Sequence, residues 1–211
     1  MVVDSLPEPE SEKEKTFHKI INWIITTKPA KIQKYVDKLR DQNKGISNDK
    51  LAKKIVRRKS FKNGLLGAST GIPGFILLPV TVPANLAFSW KVQATMACSV
   101  AYVYGHTHET TDLKTDIYLI LAGDSANEAL KRIGIEAVKG VTKKAIEKYI
   151  TREVMKKIWR IMGQKVITKA GQKSATSFTK MIPLVGAPVG FIFNCITTRA
   201  VGYFAIKYYK G

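Results

Sequence analysis

The side chains best suited to ligand chemistry lie in one short run, His106-Thr107-His108-Glu109, with Asp112 three residues further on. Imidazoles two apart with carboxylates beside them are groups of the kind that hold a divalent cation. That spacing in a polar loop supplies only part of a coordination shell, so His106 and His108 are weak metal candidates. The plain reading is a polar loop, with no metal and no cofactor expected. Catalytic signals elsewhere are thin. The stretch Gly64 to Gly74 contains four glycines, but it lacks the Gly-Lys-Ser/Thr ending and the preceding strand of a phosphate-binding loop. There is no Cys-x-x-Cys and no His-Glu-x-x-His. Nothing marks Cys98 or Cys195 as a nucleophile. The residues therefore point away from an enzyme, and no catalytic set is assigned.

The elements that would position any site are dominated by an apolar block that occurs twice. From Gly64 to Trp90 no charged residue occurs, and the run contains Gly67-x-x-x-Gly71, Ile72-Pro73, Pro79 and Pro83. From Met181 to Thr198 the same holds, with Ile182-Pro183 and Gly186-x-x-x-Gly190. Glycines four apart let two helix backbones approach closely, and prolines divide an apolar run into short turns and half-helices. The expectation is an all-α bundle in which two Gly/Pro-containing apolar hairpins pack together, with Gly67, Gly71, Pro73, Pro183, Gly186 and Gly190 at the contact.

Around these blocks the pattern is helical throughout. Residues 1–12 are acidic and proline-bearing, the composition of a disordered tail. Residues 13–46 read as a helical appendage: Phe17, Ile20, Ile21, Ile24 and Ile25 form one face up to Lys28-Pro29, and Ile32, Tyr35, Val36 and Leu39 form the next up to Asn43-Lys44-Gly45. The main domain, 47–211, opens with a helix capped by Ser47 or Asn48. Between Pro83 and Pro183 there is no proline, which favours long helices over sheet. The first of them should run from about Ala84 to Tyr104 and end at Gly105. A further helix should hold Ile117, Leu119, Ile120 and Leu121. Ser125-x-x-Glu128 has the form of a capping box for another.

Charge narrows the class of partner. Thirty-five Lys and Arg against sixteen Asp and Glu leave +19, an attraction to something anionic. Lys53, Lys54, Arg57, Arg58, Lys59 and Lys62 follow one another without an acid and run straight into the first apolar block. The stretch Lys139 to Lys173 is again basic, with Glu147 and Glu153 its only acids. Nucleic-acid binding would call for stacking aromatics or a reading motif, and neither is present, so nucleic acid is disfavoured. Basic segments abutting apolar ones suit an anionic membrane face, where each Lys or Arg contributes about 1 kcal/mol. The helix after Pro83 and the one from Ile182 to Ile206 are long enough to span a bilayer, but Lys91 and Arg199 interrupt them. Those two cations must reach water, a headgroup or backbone carbonyls. No secretory leader is evident at the acidic start, and two cysteines suit buried thiols better than a disulfide. The expected location is intracellular, on the cytoplasmic side of a membrane.

Leu51-Ala-Lys-Lys-Ile-Val-Arg-Arg, then Gly64-x-x-Gly67-x-x-Thr70-Gly71-Ile72-Pro73-Gly74, resembles the EcsC protein family. So do Leu78-Pro79, Pro83-Ala84-Asn85-Leu86, Gln93, Tyr104-Gly105 and Lys180-Met-Ile-Pro-Leu-Val-Gly-Ala187, with Gly190, Asn194, Gly202 and Ala205. The resemblance covers about Ser47 to the C-terminus. One departure is Asn85, where members of the family often have aspartate, which removes any role for a buried carboxylate at that position. The resemblance implies an all-helical domain with apolar hairpins and a loose association with ABC transport and secretion, and it implies no reaction.

Three functions follow as expectations. The first is a non-enzymatic, membrane-associated accessory protein whose partner is an anionic membrane surface or a membrane protein, with Lys53, Lys54, Arg57, Arg58, Lys91 and Arg199 as anion or headgroup contacts. The second is a soluble helical interaction protein that uses its basic face. The third is a ligand binder or enzyme with a pocket between the hairpins, for which Lys91, Asn85, His106 and Arg199 are the acid–base groups at hand.

Overall fold

The computed structural model describes residues 12–70, 84–107, 112–123, most of 151–160 and 183–210. Six helices organise them: α1 (Glu12–Ile25), α2 (Pro29–Asp41), α3 (Asn48–Thr70), α4 (Ala84–Val103), α5 (Leu113–Ala122) and α6 (Pro183–Lys210). No strand occurs among the described residues, so the protein is all-α as its pattern required.

Local chemistry sets the helix ends. Lys28 is extended and Pro29 opens α2, where the missing N–H removes no bond because the first helical donors are unsatisfied anyway. The turn after α2 passes through Gly45 at φ +78°, and the turn after α4 through Gly105 at φ +88°, a region costly for any residue with a Cβ. The Ser47 hydroxyl accepts from the Lys50 N–H at 3.4 Å at the start of α3. At α5 the Asp112 carboxylate accepts from the Thr115 N–H at 3.2 Å and from its hydroxyl at 2.7 Å.

Helices α3, α4 and α6 form the centre, and α1, α2 and α5 pack around them. The buried side chains make one cluster, from Ile21, Ile24, Ile32 and Val36 through Leu51, Ile55, Met96 and Val100 to Ile117, Leu119 and Ala205. Each large aliphatic in it contributes roughly 1.5–3 kcal/mol by leaving water. Residues from α1 and α2 belong to this same cluster.

The register of the central helices follows from their contacts. Gly67 meets Gly190, the Asn194 side chain bonds the Asn63 carbonyl, Val56 meets Gly202, and Lys210 pairs with Asp49. Helices α3 and α6 are therefore antiparallel. Asn63 bonds Ser89 and the Tyr104 hydroxyl bonds Asp49, so α4 is also antiparallel to α3 and parallel to α6.

The described parts of the two charge-free blocks pack on each other. Those of the first are the end of α3 and the start of α4. From Pro183 the second runs on through Pro188 within one helix. Pro188 is exposed and lies in the second turn of α6, so its ring and missing N–H can disturb only the first turn of the helix. Gly71 and Pro73 lie outside the described residues. Pro183 and Gly186 lie in α6, but their surroundings fall outside the description.

Candidate functional site

Because α3 is antiparallel to both α4 and α6, the uncharged ends of all three helices meet at one pole of the bundle. Gly67 and Gly190 form the tightest contact there. A Cβ on Gly67 would overlap the Gly190 carbonyl oxygen and lie 2.7 Å from its carbon and 2.8 Å from the Asn194 amide nitrogen. Gly64 is closed by the Phe191 ring, whose nearest atom would stand 2.8 Å from an added Cβ. Just outside this seam lie Phe61, Leu65, Phe88, Ile192, Phe193 and Ile196, all more than half exposed. Large apolar side chains gathered at one end of a helical bundle are the kind of patch at which proteins meet a partner or a membrane.

Behind the pole a buried polar layer joins the three helices. The Asn63 amide donates to the Ser89 and Thr198 hydroxyls, both at 2.7 Å, and the Asn194 amide donates to the Asn63 carbonyl at 3.1 Å. Gln93 reaches Thr198 at 3.4 Å. The Ser60 hydroxyl and Asn63 Oδ1 are buried with no hydrogen-bond partner. This layer has no titratable member, so it locks register and carries no acid–base chemistry. Asn63→Ala should destabilise the fold by about 2–3 kcal/mol, because the buried Ser89 hydroxyl loses this donor and Thr198 keeps only the longer bond from Gln93. Urea unfolding measures this; a midpoint equal to that of the surface variant Lys50→Ala would overturn the role.

Lys91 and Arg199 divide. The Lys91 ammonium donates to the backbone carbonyls of Trp23 and Thr26, each at 2.5 Å, and lies 5.0 Å from the Trp23 ring centroid. It thus satisfies the carbonyls left open at the C-terminal end of α1. Burial and the nearby Lys28 charge lower its pKa. Arg199 is exposed on α6. The two do not converge on an anion pocket, yet the register puts them at one level: Arg199 falls opposite Arg58 and Lys59, and Lys91 opposite Phe61. Lys53, Arg57, Arg58 and Lys62 are exposed along α3, while Lys54 is half-buried and bonds Asn43.

At the opposite pole the described residues of the histidine loop are engaged in packing and helix capping. The His106 ring packs on Tyr209 at 5.1 Å, with Nε2 3.3 Å from the Tyr209 carbonyl. Asp112 is engaged as the cap of α5, and His108 and Glu109 lie outside the described residues. Among the described residues no cluster of three or more metal-type side chains occurs. One pair escaped the sequence reading: the Tyr208 hydroxyl donates to the Asp116 carboxylate at 2.7 Å, both buried. The same charge helps burial push the Tyr209 phenol well up. Asp116 and Tyr208 are 92 residues apart, so nothing local pairs them, and an acid within the mostly apolar α5 was the one signal. Cys98 is a buried free thiol and Cys195 a half-buried one.

No helix among the described residues is long and apolar enough to cross a membrane. The groove lined by Ala30, Gln33, Lys34, Asp37 and Lys38 is an open depression along α2, away from the two apolar blocks.

The geometry defines a class: an all-helical domain whose paired charge-free segments meet at a glycine seam. A family model described as the EcsC protein family matches residues 8–211, and the chain belongs to that family. The match extends well to the N-terminal side of Ser47, over α1 and α2. No curated protein and no solved structure matches the chain.

Proposed function

We propose that the protein is a non-enzymatic accessory factor that sits on an anionic membrane face, with its charge-free pole in the bilayer boundary and its basic helices toward the headgroups. The observation that carries this is the convergence of the ends of α3, α4 and α6, with Phe61, Leu65, Phe88, Ile192, Phe193 and Ile196 exposed around them. Lying on a membrane requires apolar area on one side and cations beside it, and it needs no spanning helix. The cytoplasmic leaflet, which carries anionic lipid, is the surface proposed. A membrane-embedded partner of the ABC-transporter or secretion type fits the same geometry.

Co-sedimentation with vesicles tests it. The full chain should pellet with vesicles of phosphatidylcholine and phosphatidylserine, less with phosphatidylcholine alone, and less again as salt screens the attraction. Absence of binding to anionic vesicles at low salt would remove the proposal. A second reading, a soluble interaction protein, is favoured by the exposed basic face of α3, and it predicts retention on heparin at low salt without any effect of vesicles. For a nucleic-acid partner, affinity would fall with log salt at a slope of about −0.9 per phosphate contacted.

A further inference from the structure

Resting on that membrane reading, we infer that Arg58, Lys59, Lys62, Lys91 and Arg199 form a collar around the bundle that meets lipid phosphates and fixes how deeply the pole enters the bilayer. Three observations lead there. First, the collar residues come from three helices far apart in sequence, yet the register places them within about one helical turn of each other along α3. The pairings Asn63 with Asn194 and Asn63 with Ser89 put Arg199 level with Arg58 and Lys91 level with Phe61. On the far side of this level the central helices carry no charge.

Second, among the described residues no acid pairs with the collar: Lys59, Lys62, Lys91 and Arg199 take part in no ion pair there. Lys59 lies 4.6 Å from the Tyr35 ring centroid, and burial together with the neighbouring Lys62 lowers its pKa. A cation so placed gains from any anion brought up to it. Third, aromatic side chains stand at the same level. The Trp23 and Phe88 rings meet edge to face at 5.7 Å, both about half exposed, and Trp23 is held there by Lys91. An indole with an apolar body and a polar N–H favours the headgroup boundary. Lys91 serves as a positioning residue that holds Trp23 and adds charge, while the exposed Lys62 and Arg199 are free to reach phosphate.

Charge-matched pairs test the collar. Lys62→Gln with Arg199→Gln removes two collar cations, and Lys50→Gln with Lys207→Gln removes two exposed cations from nearer the other pole. Lys50 lies about 18 Å below Lys62 along α3, at roughly 1.5 Å per residue, which exceeds the Debye length of about 8 Å at physiological salt. Partitioning onto phosphatidylserine-containing vesicles should fall about 30-fold for the collar pair, at about fivefold per cation. The control pair should lose less than about threefold. All four positions are exposed, so folding is not at stake. Equal losses for the two pairs, with binding by the parent protein intact, would overturn the collar and leave the membrane reading standing; no binding by the parent would end both. A second measurement reads depth directly. With Trp90→Phe and Trp159→Phe, the remaining Trp23 should be quenched more by a spin label near the lipid headgroup than by one deep in the acyl chains. The reverse order would overturn the inferred level.

Discussion

Gly67→Ala should be the most damaging single-methyl change in this protein, lowering stability by about 3 kcal/mol or more. The added Cβ meets backbone, the Gly190 carbonyl, and no rotamer change relieves a clash with backbone. Overpacking a tight core commonly costs about 1–3 kcal/mol, and this site belongs at the upper end because two helix axes must separate. In a chain of this length each kcal/mol shifts the thermal midpoint by roughly 2–4 °C, so a fall of about 6–12 °C is expected. Gly190→Ala should repeat it, since its Cβ would strike Gly67 in return. Gly45→Ala is the informative comparison: its φ is +78° but nothing lies within 4 Å of an added Cβ. That change carries only backbone strain, about 1–2 kcal/mol. Should Gly67→Ala melt at or above Gly45→Ala, the seam is not where the bundle is held.

The second large effect concerns binding. Phe193→Ser together with Ile196→Ser should cut partitioning onto anionic vesicles by about 30-fold or more. The two side chains are 62% and 61% exposed, so each has about 1 kcal/mol or more to gain by entering an apolar phase. For the same reason the folded protein loses little, and the thermal midpoint should move by no more than about 2 °C. This separates the pole from the collar: serines at the pole should weaken binding at all salt concentrations, whereas glutamines at the collar should act chiefly at low salt. Unchanged partitioning by a well-folded double variant would exclude the pole as the inserted surface.

The sequence alone determined the helices and their ends. Periodic apolar positions such as Ile21, Ile24, Ile32 and Val36, and stops at Pro29, Gly45 and Gly105, depend on neighbours within one turn, which is why α1 to α4 fall where the pattern puts them. It also determined that glycine spacing means close packing, because a missing Cβ has the same consequence against any partner; Gly67 and Gly190 do meet. The tertiary structure decided the rest, since it depends on register between segments more than a hundred residues apart. Asn63, Ser89, Asn194 and Thr198 look like ordinary polar residues in apolar runs until α3, α4 and α6 bring them into one layer. Lys91 looks like an unpartnered cation until the end of α1 presents its carbonyls. The histidine run reads as a polar loop, and only the tertiary structure shows His106 packed on Tyr209 and Asp112 capping α5. Most of all, the sequence shows two charge-free blocks and a scatter of cations, while only the antiparallel register turns them into one apolar pole with the cations at its edge.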